Sequence, residues 1–358
     1  MDDRRSLARQ GGLLAVVFVA TFVLLAGGRA LLGQSATGSP APSGPVAIVP
    51  SGVVPSGASA SGSPGAASPG TSPVPSVGGP SAAASSPGAS GGTGEDPHLV
   101  GAGDIARCGE QGDEQTAALV ATLPGTVFVA GDGAYDDGSS AQYGSCYGPS
   151  WGAFRDRTRP VPGNHDYQTD GAAGYLAYWG AQARPSGTTW YSFDAGTWHV
   201  IMLDSNCDKV GGCGPDSAEG RWLAADLAAS PAQCTLAIFH HPRWSSGEHG
   251  NDRAMDAFWK PLYAAGVDLI VNGHDHDYER FAPLDPSGAE DRRRGIREFV
   301  VGTGGGVLRQ FSATAAHSEF RLAGTYGVIE LVLRPASYAW AFDPVSGDVA
   351  DAGSALCH

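Results

Sequence analysis

Five times in this chain a short apolar run stops on a residue that can ligate a metal ion. Residues 98–103 end at Gly103-Asp104, and 126–130 run into Gly131-Asp132-Gly133-Ala134-Tyr135. Residues 158–161 lead to Pro162-Gly163-Asn164-His165-Asp166, and 235–239 lead to His240-His241-Pro242. The fifth run, 267–271, opens into Asn272-Gly273-His274-Asp275-His276-Asp277-Tyr278-Glu279-Arg280. Runs this short, apolar and bounded by glycine or proline read as buried strands. Ligands of α/β sheets gather at the carboxyl ends of strands. The sequence therefore demands a fold that brings five strand ends to one edge.

The segments between the runs fit that demand. Helices are predicted over 113–123 with Asp113 as N-cap, over 217–229 and over 252–265. Residues 190–193 and 198–203 read as a hairpin pair, and 298–301, 328–333 and 338–342 as late strands. Strands alternating with helices and then clustering give an α/β domain with helix-covered sheets. No repeat with a period of 20–50 residues is present.

The domain begins near Glu95. Before it, Arg4, Arg5 and Arg9 precede an apolar run over 13–26 that resumes after Arg29. Residues 1–33 read as a signal peptide or membrane anchor, with the uncleaved anchor preferred because no Ala-x-Ala cleavage site is apparent. Positive charge ahead of the run puts the N-terminus in the cytoplasm and the rest outside it. Residues 34–94 carry no charge and are almost wholly Ser, Pro, Gly and Ala. Such a stretch cannot bury a core and reads as a disordered linker to the 95–358 domain.

Charge narrows the partners. The 358-residue chain has a formal net charge of −14. The first 94 residues hold four arginines and two aspartates, which leaves 18 basic and 34 acidic side chains, net −16, in the domain. General nucleic-acid binding by electrostatics is excluded on that balance. An anionic substrate would need local positive charge, such as a metal.

Asp104, Asp132, Asn164, His240, His274 and His276 offer only oxygen and imidazole nitrogen, and Tyr135 adds a phenolic oxygen. Seven such groups exceed what one ion with open positions requires, and they suit two metals sharing a carboxylate. No cysteine lies in the motifs, which disfavours a thiolate zinc site.

The series Gly103-Asp104, Gly131-Asp132-x-x-Tyr135, Gly163-Asn164-His165-Asp166, His240-x-Pro242 and Gly273-His274-x-His276-x-Tyr278-Glu279-Arg280 resembles the calcineurin-like metallophosphoesterases. Within them it is similar to the purple acid phosphatase branch, which Tyr135 marks. The resemblance covers about residues 98–305 and implies a two-sheet β-sandwich flanked by helices, a four-layer αββα arrangement. It implies that Asp104, Tyr135 and His276 bind one metal, usually ferric iron. Asn164, His240 and His274 would bind a divalent ion such as Zn2+, Fe2+ or Mn2+, and Asp132 would bridge the two. Ala106 stands where the wider family often has a histidine ligand and the purple branch usually has glycine.

The activity so implied is hydrolysis of phosphate-ester small molecules outside the cytoplasm, by water activated on the metals. Phosphomonoesters lead as substrates. A phosphodiesterase on the same site and an inactive cell-surface binding protein are the alternatives. His165 is expected to contact phosphate or protonate the leaving group, with Asp166 orienting it. His249 is a candidate pocket histidine, and His241 is expected to point away from the site. Arg243 and Arg280 are weaker phosphate candidates, since such arginines more often pair with acids. Residues 302–306 lack the Lys-Ser/Thr of a phosphate-binding loop and read as a tight turn. The six cysteines allow fifteen pairings. The expected ones are Cys108–Cys146, Cys207–Cys213 and Cys234–Cys357, with the protein exported.

Overall fold

The computed structural model describes residues 95–358, so the anchor expected over 1–33 and the linker over 34–94 lie outside the described residues. No helix among the described residues is long and apolar enough to cross a membrane. The runs rich in valine, isoleucine and phenylalanine form two large mixed sheets. One has six strands in the spatial order Asp351–Leu356, Ser337–Pro344, Gly327–Arg334, His98–Ala102, Thr126–Ala130 and Thr158–Val161. The other has seven, in the order Ser318–Leu322, Tyr278–Phe281, Arg297–Val301, Leu269–Asn272, Cys234–Ile238, Trp198–Met202 and Tyr191–Ala195.

Parallel pairing explains why the motif ends converge. His98–Ala102, Thr126–Ala130 and Thr158–Val161 run parallel, and so do Trp198–Met202, Cys234–Ile238, Leu269–Asn272 and Arg297–Val301. Seven carboxyl ends therefore lie on the sheet edges that carry the motifs.

Alternation of side chains builds the layers. Val200, Met202, Leu236, Ile238, Leu269 and Val271 join Val100, Val127 and Val129 in one core between the sheets. The intervening Ile201, Ala237, Phe239 and Ile270 face the other way, against Phe258, Trp259 and Leu262 of the Asp256–Ala265 helix and Leu223 of the Ala218–Ala229 helix. Ser217 caps the latter as its position predicts, its Oγ accepting the Gly220 N–H at 2.9 Å. Asp113 is not an N-cap. It lies in the first turn of the Gly112–Val120 helix behind Gln111, where its buried carboxylate accepts a hydrogen bond from the Ser150 hydroxyl.

All three expected disulfides are formed: Cys108–Cys146, Cys207–Cys213 and Cys234–Cys357. The strands over Tyr278–Phe281, Ser318–Leu322 and Asp351–Leu356 were not expected. Ser318–Leu322 is an edge strand with no fully buried residue, and Asp351–Leu356 is another edge with one, so neither has an apolar run to announce it.

Candidate metal centre

The chain bends sharply where it leaves three of the strands. Asp104, Asp132 and His274 adopt positive φ values of 62°, 51° and 73°. This left-handed region is uncommon for residues other than glycine, though aspartate, asparagine and histidine are enriched in it. The motif glycines answer to close packing between motifs. A Cβ on Gly163 would lie 2.1 Å from Asp132 Oδ1, and one on Gly131, itself at φ 86°, would lie 2.3 Å from His240 Nδ1.

All seven expected ligands come together. On one side the Tyr135 hydroxyl donates to Asp104 Oδ1 at 2.6 Å and lies 3.1 Å from His276 Nε2. His276 donates its Nδ1–H to the Val307 carbonyl at 2.6 Å, which leaves Nε2 as a bare lone pair turned toward Asp104 and Tyr135. On the other side His240 donates its Nδ1–H to the Ala130 carbonyl at 2.8 Å. Its Nε2 then faces the Asn164 side-chain oxygen at 3.0 Å, His274 Nδ1 at 3.2 Å and Asp132 Oδ2 at 3.3 Å. Asp132 Oδ2 also lies 3.1 Å from the Tyr135 hydroxyl, so one carboxylate oxygen touches both groups.

The donor set fits cations. Acceptors crowd around a ring nitrogen whose partner nitrogen already holds the proton, and a positive charge is what relieves them. Asp104, Asp132 and His240 present ligand atoms within 4.8 Å of one another, as do His240, His241 and His274. In the bare protein a proton supplies the charge. Burial pushes His240 down, but Asp132 and Asp104 outweigh burial and raise its pKa to about 9. Burial likewise opposes ionisation of Asp132, yet His240 outweighs it and holds the carboxyl down to about 2. Tyr135 is driven well above its ordinary value by burial and then by Asp104 and Asp132. Its phenol stays protonated unless a strongly polarising cation takes the proton's place.

The flanking residues divide differently from expectation. His165 stands at the site with its ring centroid 4.6 Å from that of Tyr135. Its Nδ1 hydrogen-bonds to the Asp136 carbonyl at 2.5 Å, not to Asp166. Asp166 is fully buried below it and accepts from Gly163 N–H at 2.8 Å, Asp132 N–H at 3.2 Å and Tyr143 OH at 2.6 Å. Asp166 therefore braces the turns that carry Asp132 and Asn164, because its backbone donors lie in those turns. Burial and then the Asp132 charge raise its pKa to about 7.

His249 reaches the site, its ring 4.1 Å from that of His274. Its Nδ1 is 2.9 Å from Asp275 Oδ1, a buried carboxylate that also accepts the His249 backbone N–H. His241 does not leave the site. Its ring lies 4.5 Å from that of His274, and it lines the cavity beside Asn164. Arg243 pairs with Asp256 at 2.5 Å, and Arg280 pairs with Asp351 at 2.8 Å, so both are engaged away from the ligands. Residues 302–306 turn against the site, with Gly306 N–H donating to the Asp104 carbonyl at 2.7 Å.

Sequence reasoning missed a sixth contributing strand end, Asp204-Ser205-Asn206. Asp204 accepts from Tyr167, Thr189 and Asn206, and Ser205 contacts His241. The signal was present as a polar triplet after the apolar run over 198–203, but it lacks the Gly-Asp or His-Pro spelling of the others.

Comparison with known proteins agrees with this geometry. A family model described as calcineurin-like phosphoesterase matches residues 96–278. An uncharacterized protein of Mycobacterium tuberculosis is 33% identical over 183 residues, covering 41% of this chain and 35% of that protein. Purple acid phosphatase 18 of Arabidopsis thaliana is 28% identical over 210 residues, covering 51% and 47%. Acid phosphatase A of Cryphonectria parasitica is 30% identical over 169 residues, covering 40% and 33%. The chain thus spans between about a third and a half of the length of these relatives.

Two solved structures share the fold. A purple acid phosphatase from yellow lupin seeds superposes with a TM-score of 0.57 at 17% identity, covering 72% of this chain and 53% of that one. A dimetal phosphatase from Danio rerio gives 0.53 at 14%, covering 74% and 100%. With half its length matched by one family model and the ligand types of that family gathered at one edge, the chain belongs to the calcineurin-like phosphoesterase family and, within it, resembles the purple acid phosphatases.

Proposed function

We propose that the domain is a dinuclear-metal phosphomonoesterase of the acid-phosphatase type, acting outside the cytoplasm. The observation that carries this reading is the shared oxygen of Asp132, in contact with Tyr135 on one side and His240 on the other. Asp104, Tyr135 and His276 would hold the first ion, and Asn164, His240 and His274 the second. The phenol among the first set favours Fe3+, and the neutral amide and imidazoles of the second favour a divalent ion such as Zn2+, Fe2+ or Mn2+. Bound there, two cations would lower the pKa of a water and neutralise phosphate oxygens.

The chain's own residues supply the rest. Because the Asp136 carbonyl holds His165 Nδ1, its Nε2 is left to meet a phosphoryl or leaving-group oxygen. Because Asp275 holds His249 Nδ1, its Nε2 is left as a second polar contact for substrate, 3.5 Å from Arg309 Nη1, which itself pairs with Glu248 at 3.0 Å. His165 is anchored through its backbone as well, its N–H donating to Asp132 Oδ1 at 2.8 Å. Three disulfides and the apolar segment over 13–26 support export.

The test is metal content and turnover of the purified full chain loaded with iron and zinc. Two metals per chain and hydrolysis of a chromogenic phosphomonoester faster than its matching diester are expected. Asp132→Ala should abolish both. Preference for the diester would replace the reading with a phosphodiesterase, and two bound metals without turnover of either ester would refute it.

A further inference from the structure

A cavity of about 450 Å3 adjoins the second ligand set and shares Asn164 with it. That volume suits one small-molecule group. The wall carries His241, Tyr167, Gln168, Asn206 and Lys209 as well.

Each of these groups is already committed on one side, which fixes what it can offer on the other. Tyr167 donates its hydroxyl to Asp204 Oδ2 at 2.6 Å, so its ring is held as a flat wall. Asn206 donates its amide to the Pro162 carbonyl at 3.2 Å and to Asp204 Oδ1 at 2.9 Å, leaving its side-chain oxygen to accept. Gln168 is exposed and free to donate and accept. Lys209, the one lysine or arginine on the wall, is neutralised by Asp208 at 2.9 Å, and Asp252 adds a further acid.

Ser205 engages one ring nitrogen of His241. Ser205 Oγ accepts the His241 backbone N–H at 3.1 Å and lies 2.7 Å from its Nδ1. The hydrogen bond to Ser205 occupies Nδ1, so Nε2 is left to offer its proton or its lone pair. That nitrogen has no protein hydrogen-bond partner, and the residue that carries it lines the cavity.

We infer that this cavity is the leaving-group subsite, and that His241 Nε2, the Asn206 oxygen and the Tyr167 ring select phosphomonoesters of uncharged, hydroxylated ring alcohols. Nucleosides and sugars share that chemistry. A second phosphate finds only a neutralised lysine and one further carboxylate, and an alkyl chain meets polar groups interleaved with the apolar ones. The inference rests on the phosphomonoesterase reading above.

The experiment compares kcat/KM of the metal-loaded full chain on a nucleoside 5′-monophosphate, a hexose phosphate, the matching nucleoside triphosphate and a long-chain alkyl phosphate. p-Nitrophenyl phosphate, whose leaving group carries no hydroxyl, is the reference. The two monophosphates are expected to exceed the triphosphate and the alkyl ester by about tenfold or more, the scale of one or two hydrogen bonds. Whichever of the two leads names the alcohol. His241→Ala should lower the leading ester relative to the reference by about tenfold, through KM. His241→Gln, which restores a donor and an acceptor, should recover most of the loss. Gln168→Trp, at an exposed position, should narrow the same ratio by filling the cavity. Turnover of all esters that ignores the leaving group overturns the subsite alone. Loss of one metal from His241→Ala also overturns it, by making His241 a ligand. Failure to turn over even the reference with two metals bound refutes the phosphatase reading, and the subsite falls with it.

Discussion

Glu219→Gln should stabilise this protein at neutral pH. Glu219 is fully buried at the start of the Ala218–Ala229 helix. Its Oε1 accepts the Asp204 N–H at 2.7 Å, while Oε2 is buried without a partner. Burial, and then the nearby Asp204, raise its pKa from 4.5 to about 9. The folded protein thus keeps a proton that the unfolded chain releases near pH 4.5. The folded state binds more protons throughout that window, so stability is greatest below pH 4.5 and is lost as pH rises toward 9.

At pH 7 the gap above 4.5 spans two and a half decades of proton activity, or about 3 kcal/mol at roughly 1.4 kcal/mol per decade. Glutamine keeps the acceptor for Asp204 and removes the titration. The variant should match the parent near pH 4 and exceed it by up to about 3 kcal/mol at pH 7. Urea denaturation of the full chain across that range, in a chelator so that metal release adds no slope, measures the difference. Parallel stability–pH curves for the two proteins would refute the reasoning, because Glu219 would then ionise alike in both states.

Other perturbations act nearer the metals. Asp132→Asn keeps the shape but removes the shared charge, so metal analysis should show loss of at least one ion and turnover should fall by a factor of about a thousand or more. Tyr135→Phe should remove any visible absorption arising from a phenolate–iron bond while leaving the fold intact by circular dichroism. If the band persists, Tyr135 is not a ligand. Gly163→Ala places a methyl against Asp132 Oδ1, so it should destabilise the domain by about 1–3 kcal/mol and weaken metal retention, read by denaturation and metal analysis. Replacing the Cys234–Cys357 pair by serines should cost about 5 kcal/mol in a chain-entropy account, against about 2 for Cys207–Cys213. The sequence separations are 123 and 6. Equal losses in thermal denaturation would contradict that account.

Much of the site was legible because metal ligation needs particular side chains at particular strand ends. Asp104, Asp132, Tyr135, Asn164, His240, His274 and His276 are all spelled by local motifs, and each motif follows a short apolar run bounded by glycine or proline that marks a strand. Asp166 shows where that legibility stops. Its place in Asn164-His165-Asp166 suggested a partner for His165, yet its carboxylate turns inward to the Gly163 and Asp132 amides. Sequence adjacency does not fix the direction of a side chain in a loop, whereas unsatisfied buried amides do. Arg280 makes the same point, drawn to Asp351 and Glu319 through pairings 71 and 39 residues distant.

The sequence alone determined the α/β class and the types and order of the candidate ligands along the chain, because those follow from short apolar runs and donor chemistry. Only the tertiary structure decided that Asp166 braces the turns beside it, that Asp204-Ser205-Asn206 adds a strand end, and that His241 lines a cavity. These depend on which strands pair in parallel and which carbonyl each ring nitrogen meets. Such contacts join residues far apart in the chain, and no local pattern encodes them.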